Sequence, residues 1–562
     1  MEWDAVDWRA AEDHVRRLRQ RIFAATRAGD LKKARSLQKL MLRSRSNTLI
    51  SVRQVTERNA GRLTAGVDGQ LALTSVDKER LVADIHRSPR RARPVRRVFI
   101  PKANGKLRGL GIPVIFDRAQ QARVRNALEP EWEARFEPKS YGFRPGRGCH
   151  DAIEAIYQVV KGKNPKRQWI LDADLQGAFD NIDHDYALGL IGSFPGRGMI
   201  RAWLKAGVVA HGRYAPTEQG APQGGVISPL MLNIVLHGME TAAGVRYFRR
   251  SRGGIETAPD APVLVRYADD LLAFCHSREH AEKVKQKLAE WLQPRGLVFN
   301  EEKTRIAHVS QGCDFLGFNI RRYHGKLPLI KPSKDAVRRI RLRLRTEMRA
   351  LLGGNSAAVM RKLTPIIRGW AAYYRTQVSS EVFSALDDYM WKLLYKWVKR
   401  THPNKSRWWR MDRYFGRFNP SRNDRWIFGD HDSGAYLPKF AWTKIVRHPM
   451  VAGWASPDDP TLARYWADRR GRQHNGPLSV LLLAQLKAQR GRCPRCGTLL
   501  LHADREPQSP HEWELWLRAV RWLVRKDNIT GASADDQRLI HTACRGRNGS
   551  STAPALLTAT PA

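Results

Sequence analysis

Three features of the sequence predict an α+β fold whose chemistry sits at the tip of a β-hairpin. First, in Val263-Leu-Val-Arg-Tyr-Ala-Asp-Asp-Leu-Leu-Ala-Phe-Cys275, apolar runs flank the adjacent carboxylates Asp269 and Asp270. Such runs read as two short buried strands meeting at that pair. Second, strand-like and helix-like patterns alternate irregularly over most of residues 165–325, which predicts an antiparallel sheet backed by helices. Third, beyond residue 331 the apolar residues recur at helical spacing.

The hairpin comes first because its chemistry is specific. Two carboxylates at one turn repel each other and are costly unless something positive sits there. Hard divalent cations take oxygen ligands and serve in-line phosphoryl transfer. A chance Tyr-x-Asp-Asp occurs in about one chain in twenty of this length at ordinary residue frequencies, so the pair needs support from elsewhere. Upstream, Ile170-Leu-Asp-Ala-Asp-Leu-Gln-Gly-Ala-Phe-Asp-Asn-Ile-Asp-His184 is an apolar lead-in followed by an acidic strand end. Asp174 is the expected third ligand, facing the hairpin tip across a sheet. Phe179, five residues on, would then stand under an incoming sugar and block a ribose 2′-OH. Asp172, Asp180 and Asp183 are near enough to compete with Asp174.

Further blocks lie in order along the chain. They are Arg97-Val-Phe-Ile-Pro-Lys-Ala-Asn-Gly-Lys-Leu-Arg-Gly-Leu-Gly-Ile-Pro113, Ser140-Tyr-Gly-Phe-Arg-Pro-Gly-Arg147, Ala221-Pro-Gln-Gly-Gly-Val-Ile-Ser-Pro-Leu230, Gly296-Leu-Val-Phe-Asn-Glu-Glu-Lys-Thr304 and Asp314-Phe-Leu-Gly-Phe318. With the tetrad Tyr267-Ala-Asp-Asp270, they resemble the fingers and palm blocks of reverse transcriptases, specifically the proteins encoded by bacterial group II introns. The resemblance is collinear over about the first 430 residues. It implies two Mg²⁺ ions held by Asp174 and Asp269, with Asp270 in support, and Lys303 as the acid that protonates the departing pyrophosphate.

The residues carry part of this without the family. Lys102 and Arg108 flank Asn104-Gly105, a hairpin-type turn, so both cations could reach a triphosphate from a fingers strand. Arginine's fork suits two phosphate oxygens, while lysine offers a point charge. Gln223 precedes two glycines that would allow a nucleic-acid strand or base to approach closely. Lys303 has the plainer alternative of a phosphate contact.

Composition agrees. The 562 residues carry 98 Lys+Arg against 54 Asp+Glu, a formal net charge of +44 and an isoelectric point near 10.7. Such a field attracts polyanions and makes binding salt-dependent. Short or low-complexity architectural proteins share the charge but not the 42% hydrophobic composition and 18 tryptophans, which predict several domains with substantial cores. The scattered cysteines give no disulfide framework and suit a reducing compartment. There is no run of eighteen apolar residues, which excludes a membrane helix, and the amino terminus lacks a signal-peptide core. A cytoplasmic, bacterial location is expected, nucleoid-associated during work on DNA.

The expected organisation is an N-terminal helical extension (1–85), fingers and palm (86–330), a helical thumb or maturase domain (331–430), a DNA-binding region (431–485) and a small zinc-binding domain with a tail (486–562). Between Lys334 and Leu351, a local alternation suggests a strand. The longer window resolves it as a helix, with Val337, Ile340, Leu344, Met348 and Leu351 on one face and Arg338, Arg341, Arg345 and Arg349 on another. The basic face is expected on a nucleic-acid backbone. Residues 363–400 resemble the thumb-like maturase domain, which the family uses to hold folded intron RNA. There Arg368 and Arg375 are candidate phosphate contacts, whereas Trp370, Tyr373 and Tyr374 read as core.

In the tail, Cys493-Pro-Arg-Cys496 and His541-Thr-Ala-Cys544 form two ligand pairs with the spacing of a tetrahedral zinc site. The family's tail is often an HNH nuclease, but Arg545 and Asp536 stand where it usually has His and Asn. His502 is the nearby candidate base, and weak or absent nicking is expected. The expected partners are group II intron RNA, a DNA target and primer, and deoxynucleoside triphosphates. A splicing-only maturase and a host-recruited reverse transcriptase, for example one used in defence, stay open as alternatives.

Overall fold

Short polar caps set the N-terminal helices: α1 (Trp8–Arg27), α2 (Leu31–Arg43) and α3 (Arg45–Arg53) begin where Asp7, Asp30 and Ser44 accept the backbone N–H of Ala10, Lys33 and Asn47. Such caps satisfy donors that the first helical turn leaves orphaned. The computed structural model describes residues 2–473 apart from 88–90, 102–104, 106, 163–164, 250–253 and 324–327. In the tail it describes 484–485, 488–489, 493–494, 507–523, 525–527 and 538–540. With α4 (Ser75–Arg87), the N-terminal helices enclose a core containing Trp3, Trp8, Val52 and Val82.

The fingers hairpin follows. Strands β1 (Val95–Pro101) and β2 (Leu107–Ile112) pair antiparallel, with Pro101 opposite Leu107. Helix α5 (Ile115–Glu133) packs against α1, α2 and α3, and α6 (Cys149–Val160) leads to β3 (Trp169–Asp174). After α7 (His184–Ile191) and α8 (Arg197–Leu204), the short strands β4 (Val208–Ala210) and β5 (Arg213–Ala215) complete a sheet of order β2-β1-β4-β5. Helices α9 (Ser228–Val235) and α10 (Met239–Ala242) and the hairpin of β6 (Tyr247–Arg249) and β7 (Ile255–Thr257) precede the strands that carry the acidic hairpin.

The palm sheet has the order β10-β3-β9-β8 and is antiparallel throughout, with β8 (Val263–Tyr267), β9 (Asp270–Cys275) and β10 (Arg305–His308). Its apolar runs are nearly continuous because both faces are buried. Leu271 and Ala273 share a core with Val284 and Leu288 of α11 (Arg278–Leu292). Leu272 and Phe274 face the opposite way, into a core with Ile153 and Ile156 of α6. The period of two thus delivers one strand to two cores.

A three-stranded sheet, β11 (Cys313–Phe315), β12 (Phe318–Arg322) and β13 (Pro328–Pro332), joins the palm to the thumb. The thumb helices are α12 (Lys334–Ala350), α13 (Ser356–Tyr374) and α14 (Ser380–Thr401). As predicted, Ile340, Leu344, Met348, Trp370, Tyr373 and Tyr374 are buried, and Val337 and Leu351 pack beside them. Helix α15 (Arg407–Tyr414) and the paired strands β14 (Phe415–Gly416) and β15 (Ile427–Phe428) follow.

Beyond them, the stretch expected to bind DNA folds back in large part onto helices α1 and α6. Arg19 of α1 is held by Asp458 at 2.6 Å and Glu129 at 2.9 Å, and Arg27 pairs with Asp459. Buried Asp151 accepts from His448 and from Arg469 of α16 (Ala463–Gln473), both at 3.0 Å. A last long helix, α17 (Pro510–Leu523), lies against α13. Glu514 on α17 is buried and paired at 2.6 Å with both Arg343 and Arg518.

Candidate active site

The register of the palm sheet sets the acidic site. Asp174, last residue of β3, is the Cα partner of Asp270, first residue of β9, and Asp270 pairs across the hairpin with Tyr267. The structure therefore brings Asp174, Asp269 and Asp270 together at one sheet edge. Their competitors are engaged elsewhere. Asp172 accepts from Arg305 at 3.1 Å, Asp180 pairs with Arg97 at 3.4 Å, and Asp183 caps α7 through the Tyr186 N–H.

The turn itself is strained and braced. Ala268 has φ +59°, a left-handed conformation that costs a non-glycine residue roughly 1–2 kcal/mol. The buried Arg266 side chain holds it, donating to the Ala268 carbonyl at 3.0 Å, to Asn233 Oδ1 at 3.0 Å and to Ser140 Oγ at 2.7 Å. A Cβ on Gly142 would lie 2.3 Å from the Ala268 nitrogen, so only glycine lets the 140–148 loop close on the turn. Sequence reasoning missed Arg266 and Asn233 in this role. The available signal was an arginine inside an apolar strand, which must find buried acceptors.

Electrostatics follow from the crowding. Burial, then Asp269 and Asp174, push the Asp270 carboxyl up to about 7. Asp269 is also raised, by burial first and then by Asp174. The Lys303 ammonium donates to Asp174 Oδ2, and that hydrogen bond raises the lysine pKa. A site that lifts its carboxyls and draws in an ammonium is short of positive charge, so this donor set fits hard divalent cations.

Beside the carboxylates, Phe179 is buried edge-on to Phe143, with centroids 6.2 Å apart, and borders a cleft of about 110 Å³ shared with Arg97, Gly111 and Gln223. Arg108 donates to Gln223 Oε1 at 2.6 Å, and the Gly111 N–H to the Gln223 carbonyl at 2.7 Å. The first glycine after Gln223 has a close neighbour within the protein. A Cβ on Gly224 (φ +121°) would sit 2.7 Å from the Gly111 carbonyl oxygen. Gly224 therefore serves close packing on β2, within the protein. Lys102 lies outside the described residues.

The comparisons follow this architecture. The reverse transcriptase (RNA-dependent DNA polymerase) family matches residues 100–320, the N-terminal domain of reverse transcriptase residues 3–85, and the group II intron maturase-specific domain residues 337–415. Protein YkfC of Escherichia coli (strain K12) is 32% identical over 312 residues, covering 50% of this chain and 82% of that protein. The chain belongs to the group II intron-encoded reverse transcriptases. Group II intron-encoded protein LtrA of Lactococcus lactis subsp. cremoris is 34% identical over 284 residues, 41% of this chain and 47% of LtrA, so the match spans about half of that relative. Maturase-like protein 1 of Euglena gracilis is 24% identical over 374 residues, 66% of this chain and 76% of that protein.

In this reverse transcriptase, Arg338, Arg341, Arg345 and Arg349 are all exposed on α12 but differ in engagement. Arg338 pairs with Asp335 at 3.0 Å, and Arg341 stacks 5.4 Å above the Tyr389 ring. Arg345 and Arg349 line a groove of about 410 Å³ with Lys392, Lys396 and Arg400 of α14. Arg368 on α13 and Arg375, which caps its C-terminus, are half-buried, and burial lowers the Arg375 pKa.

In the tail, Cys493 is buried, while Cys496, His502, His541 and Cys544 lie outside the described residues. Among the described residues, Asp174, Asp269 and Asp270 included, no three His, Cys, Asp or Glu side chains form a ready-made metal cage, and no helix is long and apolar enough to cross a membrane.

Proposed function

We propose that this chain extends a DNA primer on an RNA template, using deoxynucleoside triphosphates, and that its thumb binds the group II intron RNA whose splicing it assists. The convergence of Asp174, Asp269 and Asp270 with Lys303 at one hairpin tip carries this reading. Magnesium prefers one or two carboxylates plus substrate phosphates to an all-protein cage, and when bound it activates the primer 3′-OH and neutralises charge on the leaving pyrophosphate.

The chain's own residues do the rest. Asp174 and Asp269 would hold the ions, and Asp270 would support them. Arg108, pre-oriented by Gln223, receives the triphosphate together with Lys102. Phe179 fills the space a ribose 2′-OH would need. Lys303 keeps its proton at Nζ, from which the pyrophosphate oxygen can take it. The test is primer extension on RNA by Asp174→Ala and Asp269→Ala beside binding of the intron. Extension should vanish and binding persist; near-normal extension by either variant in Mg²⁺ would reject the site.

The tail has a separate role. A structural zinc on Cys493, Cys496, His541 and Cys544 would tie two distant segments. Gln489 supports this, because its amide donates to the Leu539 carbonyl at 2.9 Å and accepts from the Leu539 N–H at 2.6 Å, holding the approaches to both ligand pairs together. Metal analysis should give about one Zn²⁺ per chain, lost in Cys493→Ser with extension intact; a metal-free parent protein rejects the assignment. With Arg545 and Asp536 in place of the family's His and Asn, nicking of the second DNA strand is weak or absent. The DNA primer then comes from elsewhere, such as a replication fork.

A further inference from the structure

The loop 140–148 has two working faces, and only one belongs to the palm. Toward the catalytic hairpin, the Tyr141 N–H donates to the Arg266 carbonyl at 2.9 Å, and Gly142 closes on Ala268. The other face meets chain from beyond every family match, the last of which ends at residue 415. A Cβ on Gly146 (φ +70°) would lie 2.4 Å from the Trp466 ring, and one on Gly148 would lie 2.7 Å from the Gln508 amide. Arg147 is buried and reaches the carbonyls of Gly453 and Ala455.

Gln508 goes further than packing. Its Oε1 accepts the Cys149 backbone N–H at 2.5 Å, and the Tyr267 hydroxyl donates to the same oxygen at 3.3 Å. Tyr267 is the first residue of the catalytic tetrad. Gln508 is itself held, because α17 starts two residues later and is locked onto α13. There a Cβ on Gly369 would lie 2.8 Å from the Glu514 nitrogen, and buried Trp513 and Leu517 face inward.

We infer that Gln508 is a positioning residue for polymerisation: the C-terminal segment, through Gln508 and the 140–148 loop, sets the orientation of Tyr267 and with it the carboxylate turn. The inference rests on the polymerase reading above and adds a part of the chain that carries none of the polymerase motifs. A neutral hydrogen bond to a positioned hydroxyl contributes about a 3- to 10-fold effect.

The test uses the full chain on a primed RNA template, with kcat and the nucleotide KM measured separately. Gln508→Ala should lower kcat about 3- to 10-fold with little change in KM, on the same hydrogen-bond scale. Tyr267→Phe should do the same. In the Tyr267→Phe background, Gln508→Ala should have no further effect, because the hydroxyl it would release is already gone. Gln508→Glu keeps the acceptor and should retain kcat. If Gln508→Ala folds poorly, Gln508→Glu and Tyr267→Phe carry the comparison. Parental kcat in Gln508→Ala, or an equal loss in both backgrounds, overturns the inference. Asp269→Ala runs alongside: if it still extends primers, the polymerase reading fails; if it is inactive while Gln508→Ala behaves as the parent, only the role of Gln508 fails.

Discussion

Arg108 and Gln223 meet side chain to side chain, Nε to Oε1 at 2.6 Å, so strand β2 is tied to the 221–230 loop. The contact fixes the guanidinium fork through one of its donors and leaves the others for phosphate. Arg108→Ala should raise the nucleotide KM about 10- to 100-fold, the scale of a charged hydrogen bond. Arg108→Lys should restore little, since a point charge cannot serve both partners. Steady-state extension at varied nucleotide concentration checks this, and an unchanged KM would remove Arg108 from the triphosphate site.

Asp270 makes the site pH-sensitive. Its carboxyl is raised from an ordinary 3.8 to about 7. Between those values the unfolded chain carries the charge and the folded one does not, so this group's effect on metal-free stability falls as pH rises from about 4 to about 7 and then levels off. Mg²⁺ relieves the repulsion only once the carboxylate is charged. The Mg²⁺-induced rise in Tm should therefore be larger at pH 8 than at pH 5, and Asp270→Asn should flatten the difference. Thermal melts with and without Mg²⁺ decide; an equal rise at both pH values rejects the mechanism.

Phe179 packs in the core and, in the proposed function, also fills the space beneath the sugar, so one substitution tests both. Its ring is buried against Phe143, so Phe179→Ala should cost about 3–5 kcal/mol of stability, the usual range for core phenylalanine. The same change vacates the space beneath the sugar and should admit ribonucleotides. Competition between the two nucleotide types gives the readout, and discrimination unchanged from the parent would move the gate to another residue.

The thumb groove predicts a graded response. Replacing Arg345, Arg349, Lys396 and Arg400 with Gln should weaken RNA binding and flatten its salt dependence by about 0.7–0.9 log units per lost phosphate contact. Arg338→Gln should do little, because Asp335 already holds that guanidinium at 3.0 Å. Affinity titrations across salt concentrations measure the slope; a parental slope in the quadruple variant would mean the groove is only solvated.

Much of this was legible in sequence because the relevant periods are local. The hairpin, the strand end at Asp174, the long α12 and the aromatic core of the thumb all announce themselves within about fifteen residues. Arg266, Gly142 and Gln508 did not, since their roles depend on contacts with Ser140, Ala268 and Tyr267, which lie 126, 126 and 241 positions away, respectively. Gly224, the first glycine after Gln223, shows the same limit. Small residues signal a close approach without naming the approaching chain, and here it is β2. Helical spacing also could not show that another helix, α17, lies against α13, where Arg368 is half-buried.

The clasp of Arg19 between Glu129 and Asp458 also sets the order of events during synthesis. Arg19 and Glu129 are made early, but Asp458 follows the catalytic hairpin, which ends at Cys275, by 183 residues. At roughly 5–20 residues per second on the ribosome, that is a delay of about 10–40 seconds. Until then the N-terminal helices lack one of the two carboxylates that neutralise a buried guanidinium, a loss of the kind that costs about 3–5 kcal/mol. The clasp on the amino-terminal helices therefore closes only after the whole palm and thumb have been translated.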